Sequence, residues 1–177
     1  MLLSDGKPEG IYTISTSRFG TGDRWGSYAT PLGKFVIRAR IGMGLPLGAV
    51  LHSRHPTGEI LKPNAPGRDP IVSRILWLDG SEPGNRNAYS RCIYIHGTPR
   101  EKDLGRPASY GCVRMRSSDV ALLSDRVGEG VAVTITPGPL PKARPTVVGE
   151  DNHPAAAPVV AQHSQNQRDQ VAPHKAG

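Results

Sequence analysis

Aromatic residues are scarce in this 177-residue chain, and none of the two Trp, two Phe and five Tyr lies beyond Tyr110. Residues 139–177 combine that lack with repeated prolines, many Ala, Gln and Val, and no apolar period of 3.6 or 2. A segment of this kind cannot bury enough surface to offset its ordering entropy, so a disordered tail is predicted there. Residues 1–138 remain as one folded unit, long enough for a core of its own. Also missing is any run close to the about 20 apolar residues that cross a bilayer, so no transmembrane segment is expected. Met1-Leu2-Leu3-Ser4-Asp5-Gly6-Lys7 has no apolar core of the signal-peptide kind, which leaves the compartment open. Acidic residues are outnumbered, 15 against 22 basic, for a net charge of +7. The tail holds Lys142, Arg144, Arg168 and Lys175 against Glu150, Asp151 and Asp169, so most of the positive charge belongs to the body. A basic body suits an anionic partner. No helix-turn-helix, zinc-finger spacing or aromatic-basic stretch accompanies it, so nucleic acid is not the expected one.

What is present reads mostly as β-structure. Residues 10–16 (Gly-Ile-Tyr-Thr-Ile-Ser-Thr) are rich in β-branched and aromatic side chains and predict a strand. Residues 33–41 alternate Phe35, Ile37, Ala39 and Ile41 against Lys34, Val36, Arg38 and Arg40, the pattern of a strand with one buried face. Residues 42–74 are punctuated by Gly and Pro and read as loop with at most a short strand. Residues 75–78, 91–96 and 131–135 predict three further strands. One helix is marked: Ser117 or Ser118 as N-cap, Asp119 in the first turn, Gly128 as the stop, and Val120, Leu123 and Val127 on one stripe. No regular βαβ alternation appears, which excludes a doubly wound sheet.

Two cysteines differ in setting. Cys112 lies in Ser109-Tyr110-Gly111-Cys112-Val113-Arg114-Met115, between a Gly/Pro-rich loop and the capped helix. Gly111 permits an unusual backbone conformation and close approach by a substrate. Backbone N–H groups at such a turn can converge on an oxyanion. The following helix N-terminus and Arg114 are expected to favour the thiolate, the form that attacks carbonyls. A thiol nucleophile needs a base that holds a proton near neutral pH. His153, His163 and His174 fall in the tail, and His52 and His55 in a loop. His96 closes a predicted strand just before Gly97, 16 residues ahead of Cys112, and is the best candidate. Cys92 reads as a small core residue. A zinc site from His52, His55, His96 and Cys112 is the rival arrangement, although tetrahedral sites usually show tighter paired spacing.

His96-Gly97-Thr98, the loop with Gly105, and Ser109-x-Gly111-Cys112-Val113-Arg114-Met115 together resemble the L,D-transpeptidase catalytic domain (the YkuD family). Thr30-Pro31-Leu32-Gly33-Lys34-Phe35 is similar to that family's Thr-Pro-x-Gly-x-Phe lead into a core strand. The resemblance covers about residues 10–136. It implies a mostly β, sandwich-like domain with one main helix after the cysteine, and a cell-wall enzyme located in the periplasm or at the wall. Such enzymes attack the carbonyl of a tetrapeptide stem's third residue, release the terminal D-alanine, and pass the thioester to an amine on a second stem or a lipoprotein. By this similarity Cys112 is the nucleophile and His96 the base and later the acid. Gly111 and Cys112 supply oxyanion donors, and Ser109, Tyr110, Arg114 and Gly97 support the site or hold substrate. No metal or cofactor is implied. Many members carry His where this chain has Tyr110, so His96 must handle the proton alone. Hydrolysis of the thioester, giving a carboxypeptidase or amidase-type enzyme, uses the same pair. An inactive wall-binding module is the alternative of another class.

Overall fold

The computed structural model describes residues 1–138 and the backbone of 159–163. Ten strands and one α-helix follow in the order β1 (Leu2–Ser4), β2 (Lys7–Gly10), β3 (Gly33–Ile41), β4 (Ala49–His52), β5 (His55–Ile60), β6 (Ile71–Gly80), β7 (Tyr94–Gly97), β8 (Val113–Met115), α1 (Ser117–Arg126), β9 (Ala132–Pro137) and β10 (Val159–His163). The fold is mostly β with one helix after Cys112, as the sequence implies.

The long strand β6 is the branch point. Trp77 pairs with Ala39 of β3 on one edge and Tyr94 of β7 on the other, while Val72 pairs with Val50 of β4 and Gly97 of β7. Strands β3 and β4 therefore share one edge of β6, β4 at Ile71 and Val72 and β3 from Ile75 onward, while the β6–β7 ladder shifts register between Val72 and Ile75. On the other edge β7 carries β8 in parallel, with Ile95 opposite Val113 and His96 opposite Arg114. Beyond β3 the sheet continues through β9, β10, β1 and β2. Helix α1 packs across β6 and β7. Its buried Val120 and Leu123 join Phe35, Ile37, Leu76, Leu78, Ile95 and Val113 in the main core. Alternation along the strands sends Ile75 and Tyr94 to the other face, where a second cluster forms with Leu51, Trp77 and Cys112.

Several expected elements end differently. Residues 42–74, expected as loop, contain the β4–β5 hairpin and the start of β6; β5 is exposed throughout, so no apolar alternation announces it. Of the strand expected over 10–16, Gly10 ends β2 and Ser15 bridges to Arg114, while the rest forms no ladder. The strand expected from Arg91 starts at Tyr94, because Arg91 is pulled into a buried ion pair with Asp23 at 3.0 Å and Cys92 takes φ +57. The helix is not capped by a serine hydroxyl: Arg116 is its N-cap residue, and the Ser117 N–H donates to Glu101 Oε1 at 3.2 Å. At the other end Val127, not Gly128, is the cap. Within the segment expected to lack structure, the backbone of Val159–His163 pairs in parallel with β9. The remainder of that tail lies outside the described residues.

Candidate active site

Cys112 stands immediately before β8, and its sulfur is lodged against the start of β7. The Tyr94 N–H donates to Sγ at 3.4 Å, and the thiol donates to the Cys92 carbonyl at 3.3 Å. His96 lies one pleat further along β7, opposite Arg114. With strands about 4.8 Å apart and about 6.6 Å of rise per two residues, the Cα atoms of Cys112 and His96 are roughly 8 Å apart. Cys112 and His96 thus lie on the same face of adjoining chain segments, and each side chain is held by backbone. The His96 Nδ1 is 2.8 Å from the Gly97 carbonyl, a bond that requires the proton on Nδ1 and leaves the lone pair on Nε2.

Charge in this pocket runs against the expectation of a resting thiolate. Burial pushes the Cys112 thiol up to about 11, opposed first by the Tyr94 N–H and more weakly by Arg91 and Arg114. The helix contributes little, since β8 separates its first residue, Ser117, from Cys112. Burial likewise pushes His96 down to about 4, opposed by its bond to the Gly97 carbonyl and by Asp69. Burial thus favours a neutral thiol at Cys112 and a neutral imidazole at His96.

The turn before Cys112 is clamped from several sides. Gly111 has φ +122, and an added Cβ would meet the Ala29 carbonyl and Ile93 at 3.4 Å. Ser109 is buried; its hydroxyl donates to the Cys112 carbonyl at 2.6 Å and accepts from the Gly111 N–H at 3.2 Å. The Gly111 N–H, one of the two expected oxyanion donors, is thus engaged by the Ser109 hydroxyl. The Thr30 hydroxyl donates to the Gly111 carbonyl at 2.9 Å and accepts from the Ser17 N–H at 3.0 Å. Arg114 is buried rather than offered to a ligand: it pairs with Asp69 and donates to Ser15 Oγ at 3.0 Å. Asp69 also accepts from the Thr98 hydroxyl. Gly97 serves packing, since a Cβ there would lie 2.5 Å from the Val72 carbonyl and 3.2 Å from Val120.

Tyr110 is exposed and joins Phe19 and Tyr28 in a cluster with ring centres 5.4–5.8 Å apart. The Arg18 guanidinium lies 4.2 Å from the Tyr110 ring centre. On the other side of the cysteine, Cys92 is half-buried at a turn against the second cluster, not in a strand of the main core. His52 and His55 face each other at the β4–β5 turn and are exposed. Among the described residues no group of three or more His, Cys, Asp and Glu is placed to hold a metal, so the zinc arrangement is not assembled. Sequence reasoning missed Asp69 and Ser15, and took Thr30 only as the lead into β3. Their partners are 45, 99 and 81 residues away, beyond any local pattern.

A buried Val-Arg-Met strand entered from Cys112, laid in parallel beside a His-Gly strand and followed by one helix, defines the class to which sequence comparison assigns the molecule. The chain belongs to the L,D-transpeptidase catalytic domain family (YkuD), whose profile matches residues 1–135. Bacillus subtilis YqjB, which carries an L,D-transpeptidase name, is 27% identical over 135 residues, covering 76% of this chain. The chain spans 64% of the length of that relative. Among solved structures, an L,D-transpeptidase from Mycobacterium smegmatis aligns with a TM-score of 0.46 at 15% identity, over 76% of this chain and 54% of that one. L,D-transpeptidase 3 from Mycobacterium tuberculosis, solved with a faropenem-derived adduct, gives 0.44 at 18%, over 72% and 45%. No helix among the described residues is long and apolar enough to cross a membrane.

Proposed function

We propose that this chain is a peptidoglycan L,D-transpeptidase in which Cys112 forms a thioester with a tetrapeptide stem, expels the terminal D-alanine, and passes the acyl group to an amine. The observation that carries this reading is the seating of the Cys112 sulfur between the Tyr94 N–H and the Cys92 carbonyl, one pleat from a histidine whose Nε2 keeps its lone pair. His96 takes the thiol proton as the carbonyl is attacked, and later gives it to the departing amine. Both groups start neutral, so the ion pair forms only as substrate closes over the sulfur. The acyl donor then supplies the binding energy that the desolvated ion pair needs. The Cys112 N–H faces the developing oxyanion, while Ser109 and Thr30 hold the turn that aims it.

The basic body attracts stems rich in carboxylates, and the enzyme works outside the cytoplasm on peptidoglycan. The acceptor is a second stem or a wall-attached lipoprotein. Incubation with purified muropeptides and mass spectrometry tests this: cross-linked dimers are expected. Shortened monomeric stems alone would make water the acceptor and the protein a hydrolase. Unchanged stems would leave a binding module. By family similarity a carbapenem is also expected to add its mass at Cys112, and an adduct that survives Cys112→Ala would place the label elsewhere.

A further inference from the structure

The β4–β5 hairpin turns on Ser53 and Arg54, whose φ values are +49 and +71. Hairpins with two left-handed residues at the turn favour Asn-Gly there, and side chains such as these are strained. Arg54 is fixed as well as strained. Its guanidinium lies 4.8 Å from the ring centre of Trp77, and Nη1 donates to the Tyr94 hydroxyl at 3.3 Å. Trp77 is in turn stacked on Tyr89 at 4.3 Å and set edge-on to Tyr94 at 5.4 Å. Among the described residues no carboxylate pairs with Arg54, and its side chain is exposed. A guanidinium stacked by its face keeps its edge donors for a planar anion.

Tyr94 connects this arginine to the nucleophile, with its N–H on the Cys112 sulfur and its hydroxyl on Arg54. The two groups stand one tyrosine side chain apart. A carbonyl at an attack distance of about 3.2 Å, one extended residue of about 3.5 Å and a hydrogen bond of about 2.9 Å add to roughly 10 Å, the order of a tyrosine held by a hydrogen bond at each end. We propose that Arg54 is a specificity-determining residue that binds the terminal carboxylate of a peptide whose penultimate carbonyl is presented to Cys112. This rests on the acyl-transfer reading above and explains why one terminal residue, and not a longer piece, is released. Arg91 and Arg114 are excluded from the task because each is buried in an ion pair. Arg18, stacked on Tyr110, is the rival cation.

The test uses the full chain carrying Cys112→Ala, with Trp25→Phe so that Trp77 alone reports by fluorescence. An acetylated L-lysyl-D-alanine peptide and its C-terminal amide are titrated separately. The acid is expected to bind about tenfold more tightly than the amide, a preference that Arg54→Gln reduces to within about twofold and Arg54→Lys retains in part. No detectable binding of the acid, equal binding of acid and amide, a preference that survives Arg54→Gln, or one lost in Arg18→Gln instead, overturns the proposal. Intact mass of the protein with Cys112 present reads the chemistry separately. A carboxylate preference without a thioester adduct would sink the transpeptidase reading alone, and an adduct without the preference would sink the role of Arg54 alone.

Discussion

The Tyr94 N–H and the Cys112 sulfur meet at 3.4 Å, a contact that favours a thiolate inside a pocket whose burial disfavours one. Burial wins, and Cys112 rests as a thiol. Alkylation of Cys112 by iodoacetamide, followed by intact mass in a Cys92→Ser background, should therefore accelerate through the alkaline range with a midpoint of about 11. A plateau already reached at neutral pH would mean a resting ion pair with His96.

Stability should show a plateau bounded by the same two groups. His96 is depressed to about 4 from an ordinary 6.5, so the unfolded chain binds the extra proton first and stability falls as pH drops from 6.5 towards 4. Cys112 is raised to about 11 from an ordinary 9.0, so stability also falls as pH climbs from 9 towards 11. The acid limb is worth about 3 kcal/mol, from roughly 1.4 kcal/mol per pKa unit. Denaturant melts of wild type and His96→Phe measure it, and the acid slope should shrink in the variant.

Cys112→Ala is expected to abolish thioester formation while changing stability by about 1 kcal/mol or less. Intact-mass measurement with a carbapenem and a thermal melt check both halves. Turnover that persists in this variant would remove the mechanism.

Thr30→Val removes the hydroxyl that bridges the Gly111 carbonyl and the Ser17 N–H. Two buried polar groups then lack a partner, with an expected loss of about 2 kcal/mol. Because the Gly111 turn aims Cys112, acylation should slow more than a change in stability alone would produce. Single-turnover acylation rates at a temperature where the variant is fully folded separate the two effects.

The fold class was legible because strands β3 and β6 carry β-branched and aliphatic runs, and because Val120, Leu123 and Val127 repeat at helical spacing. The hairpin over 49–60 was not legible. Its second strand, His-Pro-Thr-Gly-Glu-Ile, is exposed along its whole length and held by backbone pairing with β4, so no burial pattern marks it. Cys112 and His96 stood out through motif and resemblance, and the parallel β7–β8 register brings them to adjoining strands. Their protonation was misjudged: a charged neighbour is visible in sequence, whereas burial is a property of the packed molecule. Arg114 shows the same gap, since Asp69 lies in a Gly/Pro-rich loop 45 residues earlier.

That pairing yields a further expectation. Asp69→Leu leaves the Arg114 guanidinium buried without its counter-charge, at an expected cost of about 3 kcal/mol. Adding Arg114→Met should recover much of the loss. A double variant no more stable than Asp69→Leu, measured by chemical denaturation, would show that the pair matters for something besides charge neutralisation.

Strand β10 sits between β9 and β1, with Val159 opposite both Val133 and Leu2. Early and late parts of the chain thus close one seam, and each depends on the other for its backbone partners. Trimming the protein after Gly138 would bare the outer edge of β9, an invitation to pairing between molecules, and would unmoor the β1–β2 hairpin from its neighbouring strand while Leu2 stays in the core.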